Sequence, residues 1–222
     1  MSILKLFGDR ISHATRAPVL LLRSAGIKHE EVEVKLFKGE NRKRPELPFK
    51  KVPVLTHGDF VVAESTSILR YVGQLEGGEA WYGARSIQEK AKIDEFLDHW
   101  QSTIHPNVIK LTQNKLLYKM MFRRSEPDQK IVNESLKAHK EHKDILKNYF
   151  IGSNQFIGGN QASIADILMC MTLQQTALSG SDHGHLQDYI QNIRAASDVG
   201  VFDELESFIM ALPQNLKAMK ML

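Results

Sequence analysis

Two stretches of the chain place small polar or charged side chains close to a helix start, and a third puts a proline into a strand beside one of them. Ser12 and His13 stand in "ISHATRAPV", Glu64 and Ser65 open "ESTSILRYV", and Lys51, Val52 and Pro53 come just before in "FKKVPVL". The first amides of a helix lack partners and carry partial positive charge, so a carboxylate can sit on the Ser65 amide and hydroxyl. Glu64 offers the opposite charge to an ammonium. An α-amino acid head group carries both. A proline in a strand is tolerated at an edge or at its first residues, and the Val52–Pro53 bond can be cis. A cis bond would turn the Val52 amide and carbonyl out of the sheet, free to pair with an extended peptide. The combination predicts a site for a small peptide with a free amino terminus.

Other reactive side chains carry less. Ser12 reads either as a loop or capping serine or as a hydroxyl donor to an anion. His13 reads as a donor in place of Ser12, as a source of local positive potential, or as a solvated loop histidine. His99, His105, His139 and His142 lack a carboxylate or cysteine partner at ligand spacing, so no metal is expected. His183 and His185 lie in the Gly-Ser loop "SGSDHGH" and should be solvated. Cys170 falls in the apolar run "ADILMCMTLQQ" and should be a buried, inert thiol. Trp81, Trp100, Met120, Met121 and Phe122 are expected mainly in the core, and 105–117 as the wall of a substrate pocket.

The elements that must position these groups follow from pattern. Residues 3–7 and 30–36 read as strands, with one helix between them. Pro18 costs nothing only in a helix's first turn, so that helix should start near residue 15 or 16, with Thr15 as cap, Gly26 as stop and Ser12 in the loop before it. "VPVL" and "FVVA" form a hairpin about Gly58 and Asp59, and "STSILRYVGQL" is an amphipathic helix with Ile68, Leu69, Val72 and Leu75 on one side. The expected fold is α/β plus all-α: a βαβ–ββα domain over 1–76, a glycine-rich linker over 77–85 and an all-helical domain over 86–222. In the second domain Pro106 should kink a long helix, and "SIAD" at 163–166 reads as a capping box. Further helices are expected at 128–150, 163–178, 186–196 and 202–212.

Composition sets the outer limits. The 222 residues are 42% hydrophobic, enough for a sizeable core, and one cysteine excludes a disulfide within the chain. No apolar run is long enough to span a bilayer, and "MSILKLFGDR" lacks the features of a secretory signal, so a cytoplasmic protein with no membrane partner is expected. A net charge of +3 is too mild to imply nucleic acid, although "ENRKRPELPFKK" gathers five basic residues. That run reads as a solvated loop, as a stretch resembling a nuclear-import signal or as an attractor for a small anion, and only neighbouring features choose among these.

The order βαβ–ββα, "KKVPVL", "ESTSILRYV", a glycine-rich linker, a helical domain and "SIAD" resembles the cytosolic glutathione transferases over essentially the whole chain. Within them the theta class is most similar, through "ISHATRAPV", "LFKGEN", "FKKVPVL", "WYGARSIQEKAKIDEFLDHWQ" and "NIRAASDVGVFDELESFI". The resemblance implies a thioredoxin-like first domain binding glutathione as co-substrate, a helical domain shaping the site for a hydrophobic electrophile, and a homodimer. It makes Ser12 the catalytic hydroxyl that supports the glutathione thiolate. Val52, beside Pro53, would pair with the cysteinyl backbone. Glu64 and Ser65 would hold the γ-glutamyl end, and Lys51 and Asn41 would approach the glycine carboxylate. His13 stands next to Ser12 as a further glutathione contact. Four departures are visible: "KGEN" replaces the "KGQH" common in theta members, His13 stands where glutamine is frequent, "TIHPNVIK" lacks an arginine of the second-substrate pocket, and "KAMKML" ends the chain without a longer cover. Conjugation to halides or epoxides and reduction of organic hydroperoxides are the expected reactions, serving detoxification. A non-catalytic binding or scaffold protein of the same fold is the alternative.

Overall fold

The computed structural model describes residues 3–218, so the last four residues of "KAMKML" lie outside the described part. β1 (Leu4–Gly8) and β2 (His29–Glu33) pair in parallel, which requires a crossover, and α1 (His13–Ser24) supplies it. β3 (Val54–His57) runs antiparallel to β1, and β4 (Phe60–Ala63) antiparallel to β3. Gly58 makes the hairpin turn at φ +62°, a left-handed conformation that glycine adopts without a Cβ clash. The sheet order is β2-β1-β3-β4, and α2 (Ser65–Val72) follows directly.

Side-chain alternation gives the sheet two apolar faces. Leu4, Leu6 and Leu55 meet Leu20, Leu21, Ile68, Leu69 and Val72 of the two helices. Phe7, Val34, Leu47 and Val54 close the other face. Leu75, expected on α2, lies beyond its end and is partly buried against the same core.

The start of α1 corrects the expectation. The helix begins at His13 with Ser12 as its N-cap residue, so Pro18 sits at the sixth helical position and Thr15 is inside the helix. The first-turn rule for proline fails here because burial overrides one lost backbone bond: Ala17, Val19, Leu20, Leu21 and Leu22 are all essentially inaccessible. The other end holds. Gly26 at φ +65° ends the helix, with the Gly26 amide donating to the Arg23 carbonyl and the Ile27 amide to the Leu22 carbonyl, a Schellman closure.

Beyond residue 86 the described chain is helical. α3 (Ile87–His99) starts with Ser86 and Glu89 in a reciprocal capping box. A π-type turn at Trp100–Ile104 then joins it to α4 (His105–Lys115). The expected break is therefore a wide turn placed just ahead of Pro106, which sits harmlessly in the first turn of α4. There follow α5 (Tyr118–Phe122), α6 (Gln129–Ile145), a second π-type turn (Leu146–Ile151), α7 (Ile164–Ala177), α8 (Gln187–Ala196), α9 (Val199–Met210) and α10 (Leu212–Ala218). α7 is buried from Ile164 to Thr176 and packs against α1, joining the sheet layer to the helices. Both tryptophans and Cys170 are buried, as expected, whereas Met121 and Phe122 are exposed. No helix among the described residues is long and apolar enough to cross a membrane.

Candidate functional site

The Val52–Pro53 bond is cis. No backbone hydrogen bond reaches the Val52 amide or carbonyl among the described residues. Beside it, Glu64 takes φ +68° and ψ 124° as it leads into α2, a region that costs a non-glycine residue on the order of 1–3 kcal/mol. That strain turns the start of α2 toward the cis proline. The Ser65 and Thr66 amides donate to no protein group among the described residues, which leaves the positive helix end open.

These elements enclose a cleft of about 120 Å³, lined by Ala14, Lys51, Val52, Pro53, Glu64 and Ser65 together with Phe49, Ala63, Gln101 and His105. Five of the eight site residues expected from sequence thus share one cavity. Asn41 lies nearby: its Nδ2 donates to the Lys50 carbonyl at 2.6 Å, tying the basic loop to the residue before Lys51. A larger cavity of about 330 Å³ opens along β2, between Asp9, Arg10, Glu31 and Phe208, but holds none of the expected site residues. Its rim is a network in which Glu31 and Glu204 each bridge Arg10 and Arg23.

Ser12 has the extended backbone of an N-cap residue, at φ −86° and ψ 121°, yet its hydroxyl makes no capping bond. The hydroxyl is half-buried and keeps its hydrogen for another acceptor. The loop that carries it is anchored from below. Arg16, fully buried, donates to the Arg10 and Ile11 carbonyls and reaches α7 at the Met171 carbonyl and Gln175 Oε1. Among the described residues no carboxylate pairs with it, and burial lowers the guanidinium to about 9.

His13 is not the solvated loop histidine that was one reading of it. It opens α1, is buried, and its Nε2 lies 3.1 Å from His105 Nδ1. Burial first, then the neighbouring His105 and Arg16, push it well below the ordinary histidine value, so it adds no positive charge. It stands behind His105 and is absent from the cleft lining.

The other histidines split. His183, expected in solvent, is buried with Nε2 3.2 Å from Thr176 Oγ1, which also meets His139 Nε2 at 2.9 Å; His185 is exposed. The loop holding His183 folds back because the buried Lys143 ammonium bonds Ser181 Oγ and the Asp182 carbonyl. Among the described residues no group of three or more His, Cys, Asp or Glu could hold a metal.

Comparison with known proteins agrees with this geometry. Residues 2–74 match the family model described as glutathione S-transferase, N-terminal domain. The chain is 30% identical over 170 residues to glutathione S-transferase F10 of Arabidopsis thaliana, covering 74% of this chain and 77% of the relative. The chain belongs to the glutathione S-transferase family. Its likeness to the theta class runs over nearly its whole length: 26% identity with glutathione S-transferase theta-1 of Homo sapiens covers 93% of this chain and 89% of that protein. Among solved structures, human glutathione transferase theta-2 in complex with glutathione and an unknown ligand superposes with a TM-score of 0.86 at 25% identity, covering 99% of this chain and 92% of that one. The human theta-class enzyme with the glutathione conjugate of 1-menaphthyl sulfate has a TM-score of 0.89 at 23% identity, covering 99% and 92%.

Sequence reasoning missed two residues of this transferase's cleft region, Arg16 and Gln101, whereas His105 falls in the 105–117 segment expected as the pocket wall and does line the cleft. A signal existed for the first. An arginine one residue before "APVLLL", in a helix buried on all sides, had to find carbonyl partners. Gln101 gave none, because its 3.4 Å contact with Glu64 Oε2 depends on the fold alone.

Proposed function

We propose that this glutathione transferase is of the serine type, with Ser12 donating its hydroxyl hydrogen to the glutathione sulfur. The observation that carries the reading is a serine in N-cap position that does not cap. A free cysteine thiol has a pKa of about 8.5, so only a few per cent is thiolate at neutral pH. A hydroxyl donor and the adjacent N-terminus of α1 both favour the charged form. Ser12 acts as a donor and not as a base, since its own proton stays in place.

In this reading the Val52 amide and carbonyl pair with the cysteinyl backbone. Glu64 takes the ammonium and Ser65 the carboxylate of the γ-glutamyl end, while Lys51 and Asn41 face the glycine carboxylate. The thiolate then attacks a carbon bearing halide or epoxide oxygen: the S–C bond forms as the C–halide or C–O bond breaks, and the leaving atom keeps the electron pair. With an organic hydroperoxide, sulfur attacks the outer oxygen as the O–O bond breaks and the alkoxide leaves to take a proton; the thiol of a second glutathione then displaces water from the resulting sulfenic acid and forms the disulfide. Ile209, Leu212 and Leu216 pack with Ile11 of the Ser12 loop and Leu117 after α4 in a separate buried apolar cluster. The expected wall over 105–117 is supported at its start, since His105 lines the cleft.

The scaffold alternative has no observation in its favour, because a scaffold has no use for a strained Glu64 or an uncapped Ser12. A homodimer acting in cytoplasmic detoxification completes the proposal, and sedimentation of the purified chain tests the dimer. The central test follows the ultraviolet absorbance of bound glutathione against pH, for the protein and for Ser12→Ala. Ionisation well below the free thiol value, lost in the variant, is the expected result; binding without ionisation overturns the serine mechanism.

A further inference from the structure

His105 reaches the cleft from the start of α4, across the sequence from every glutathione contact assigned above. We propose that His105, held in place by His13, is a second hydrogen-bond donor to the glutathione sulfur beside Ser12, an inference that rests on the glutathione site already argued.

Geometry fixes the ring. His105 Nδ1 is 3.1 Å from His13 Nε2, and the His105 ring stacks on Trp100 with centroids 4.6 Å apart and planes 30° apart. Trp100 is fully buried, and its Nε1 donates to Thr176's neighbour one turn earlier, Thr172 Oγ1, at 2.9 Å. His13 meets the same indole edge-on at 5.7 Å. A packed aromatic cluster would explain all of this if both nitrogens of His105 were used. They are not. Nε2 has no hydrogen bond among the described residues and is not among the buried atoms without a partner, so it is open on the side that lines the cleft.

The proton between the rings decides what Nε2 offers. Both rings are neutral: burial, with Lys51 nearby, lowers His105 to about 4, and burial, with His105 and Arg16 nearby, pushes His13 well below the ordinary histidine value. A neutral imidazole has one donor and one acceptor nitrogen. If His13 Nε2–H donates to His105 Nδ1, then His105 carries its hydrogen on Nε2 and donates into the cleft; the opposite arrangement leaves a lone pair there. A thiolate has no hydrogen to give, so it selects the first. Trp100 and His13 hold the His105 ring in place before glutathione arrives, as preorganised stabilisation requires, and the bound thiolate then fixes the tautomer that donates to it. His13 is then a positioning residue that acts through His105. Ala14, one residue into the helix that Ser12 precedes as N-cap, shares the lining with His105, so α1 and α4 both bring their first turns to the cleft.

The test measures the ionisation of bound glutathione by thiolate absorbance in the unaltered protein, Ser12→Ala, His105→Phe, His105→Gln, His13→Phe and the double variant His13→Phe/His105→Phe. Losing one charge-assisted donor should lower the thiolate fraction, on the acid side of the bound thiol's pKa, about threefold to tenfold in His105→Phe. His105→Gln, which keeps an N–H, should recover part of it. His13→Phe should move ionisation the same way, and the double variant should go no further than His105→Phe, as for residues acting in series. Nitrogen-15 spectra of the unaltered protein guard against a variant that misfolds: glutathione should hold His105 in the Nε2–H tautomer. Normal ionisation in folded His105→Phe, or a His105 ring indifferent to glutathione, overturns the inference and leaves the serine mechanism standing. If the unaltered protein does not ionise glutathione at all, the site reading itself fails first.

Discussion

Two helix starts in this molecule use the same residue types and end in opposite states. At α7, Asp166 receives the Ser163 amide at 2.8 Å, the Ser163 hydroxyl at 2.6 Å, the Ile157 amide at 2.9 Å and the Tyr189 hydroxyl at 2.8 Å. Every oxygen lone pair that matters is used, and the group is completely buried. At α2, Glu64 and Ser65 leave the first amides open beside a cleft, and Glu64 holds a backbone conformation that costs energy. A serine-acid pair is thus structural where the protein satisfies it and a binding site where the protein withholds the partner. The expected capping box is made, with the Ser163 side chain turned to the Asp166 amide and the Asp166 carboxylate accepting the Ser163 amide. The Ser163 hydroxyl also donates to that carboxylate.

The comparison can be broken by mutation. Asp166→Ala should have the largest effect, about 3 kcal/mol or more of lost stability, since it strands several buried donors at once. Thermal or urea unfolding measures it, and a melting point close to that of the parent would show that the network is dispensable. Ser12→Ala should next lower kcat by about 10²-fold to 10³-fold, as for loss of one donor to a developing anion. Its stability should barely change, because the hydroxyl makes no cap bond. Ser86→Ala reverses the pattern: Ser86 Oγ accepts the Glu89 amide at 3.2 Å, so about 1 kcal/mol of stability should go while kcat stays unchanged. Between them in size, Lys51→Ala should weaken glutathione binding roughly tenfold, with less dependence on salt than the parent shows, because a charge contact is what is lost.

Acid titration sharpens the same contrast with opposite signs. His139 is lowered to about 3, and His105 and His183 to about 4, each by burial first. The unfolded chain binds these protons from an ordinary value of 6.5, so the stability held above that pH is lost as pH falls from 6.5 toward 4. Asp166 opposes them. Burial raises it from 3.8 to about 6 despite its four donors, so over that interval it favours the fold at the lower pH. Three histidines outweigh one aspartate, and the melting temperature should fall between pH 6.5 and 4. A His139→Gln variant should flatten that fall; an unchanged slope would assign the acid sensitivity elsewhere.

Several features of the candidate site were legible because they are local. The Val52–Pro53 bond, the Gly58 hairpin and the Glu64–Ser65 helix start each follow from a few adjacent residues. Where reading failed, a distant partner decided. The rule for Pro18 put the start of α1 two or three residues late, since it weighs one missing backbone bond and ignores burial against α7. His183 resembled a solvated residue by its Gly-Ser neighbours, yet Lys143 draws that loop inward and Thr176 receives the ring.

The sequence alone determined the order of elements, both ends of the hairpin, the Gly26 closure and the family pattern that runs through them, because turn, cap and strand preferences act over four or five residues. Only the tertiary structure decided that Ser12 caps a helix with its backbone but not its hydroxyl, that His13 is buried and neutral, and that His105 lines the cleft. Those facts rest on contacts such as His13 with His105, 92 residues apart, and Arg16 with Gln175, 159 apart. Such pairs are formed by packing α1 against α4 and α7, and no local pattern of residues encodes them.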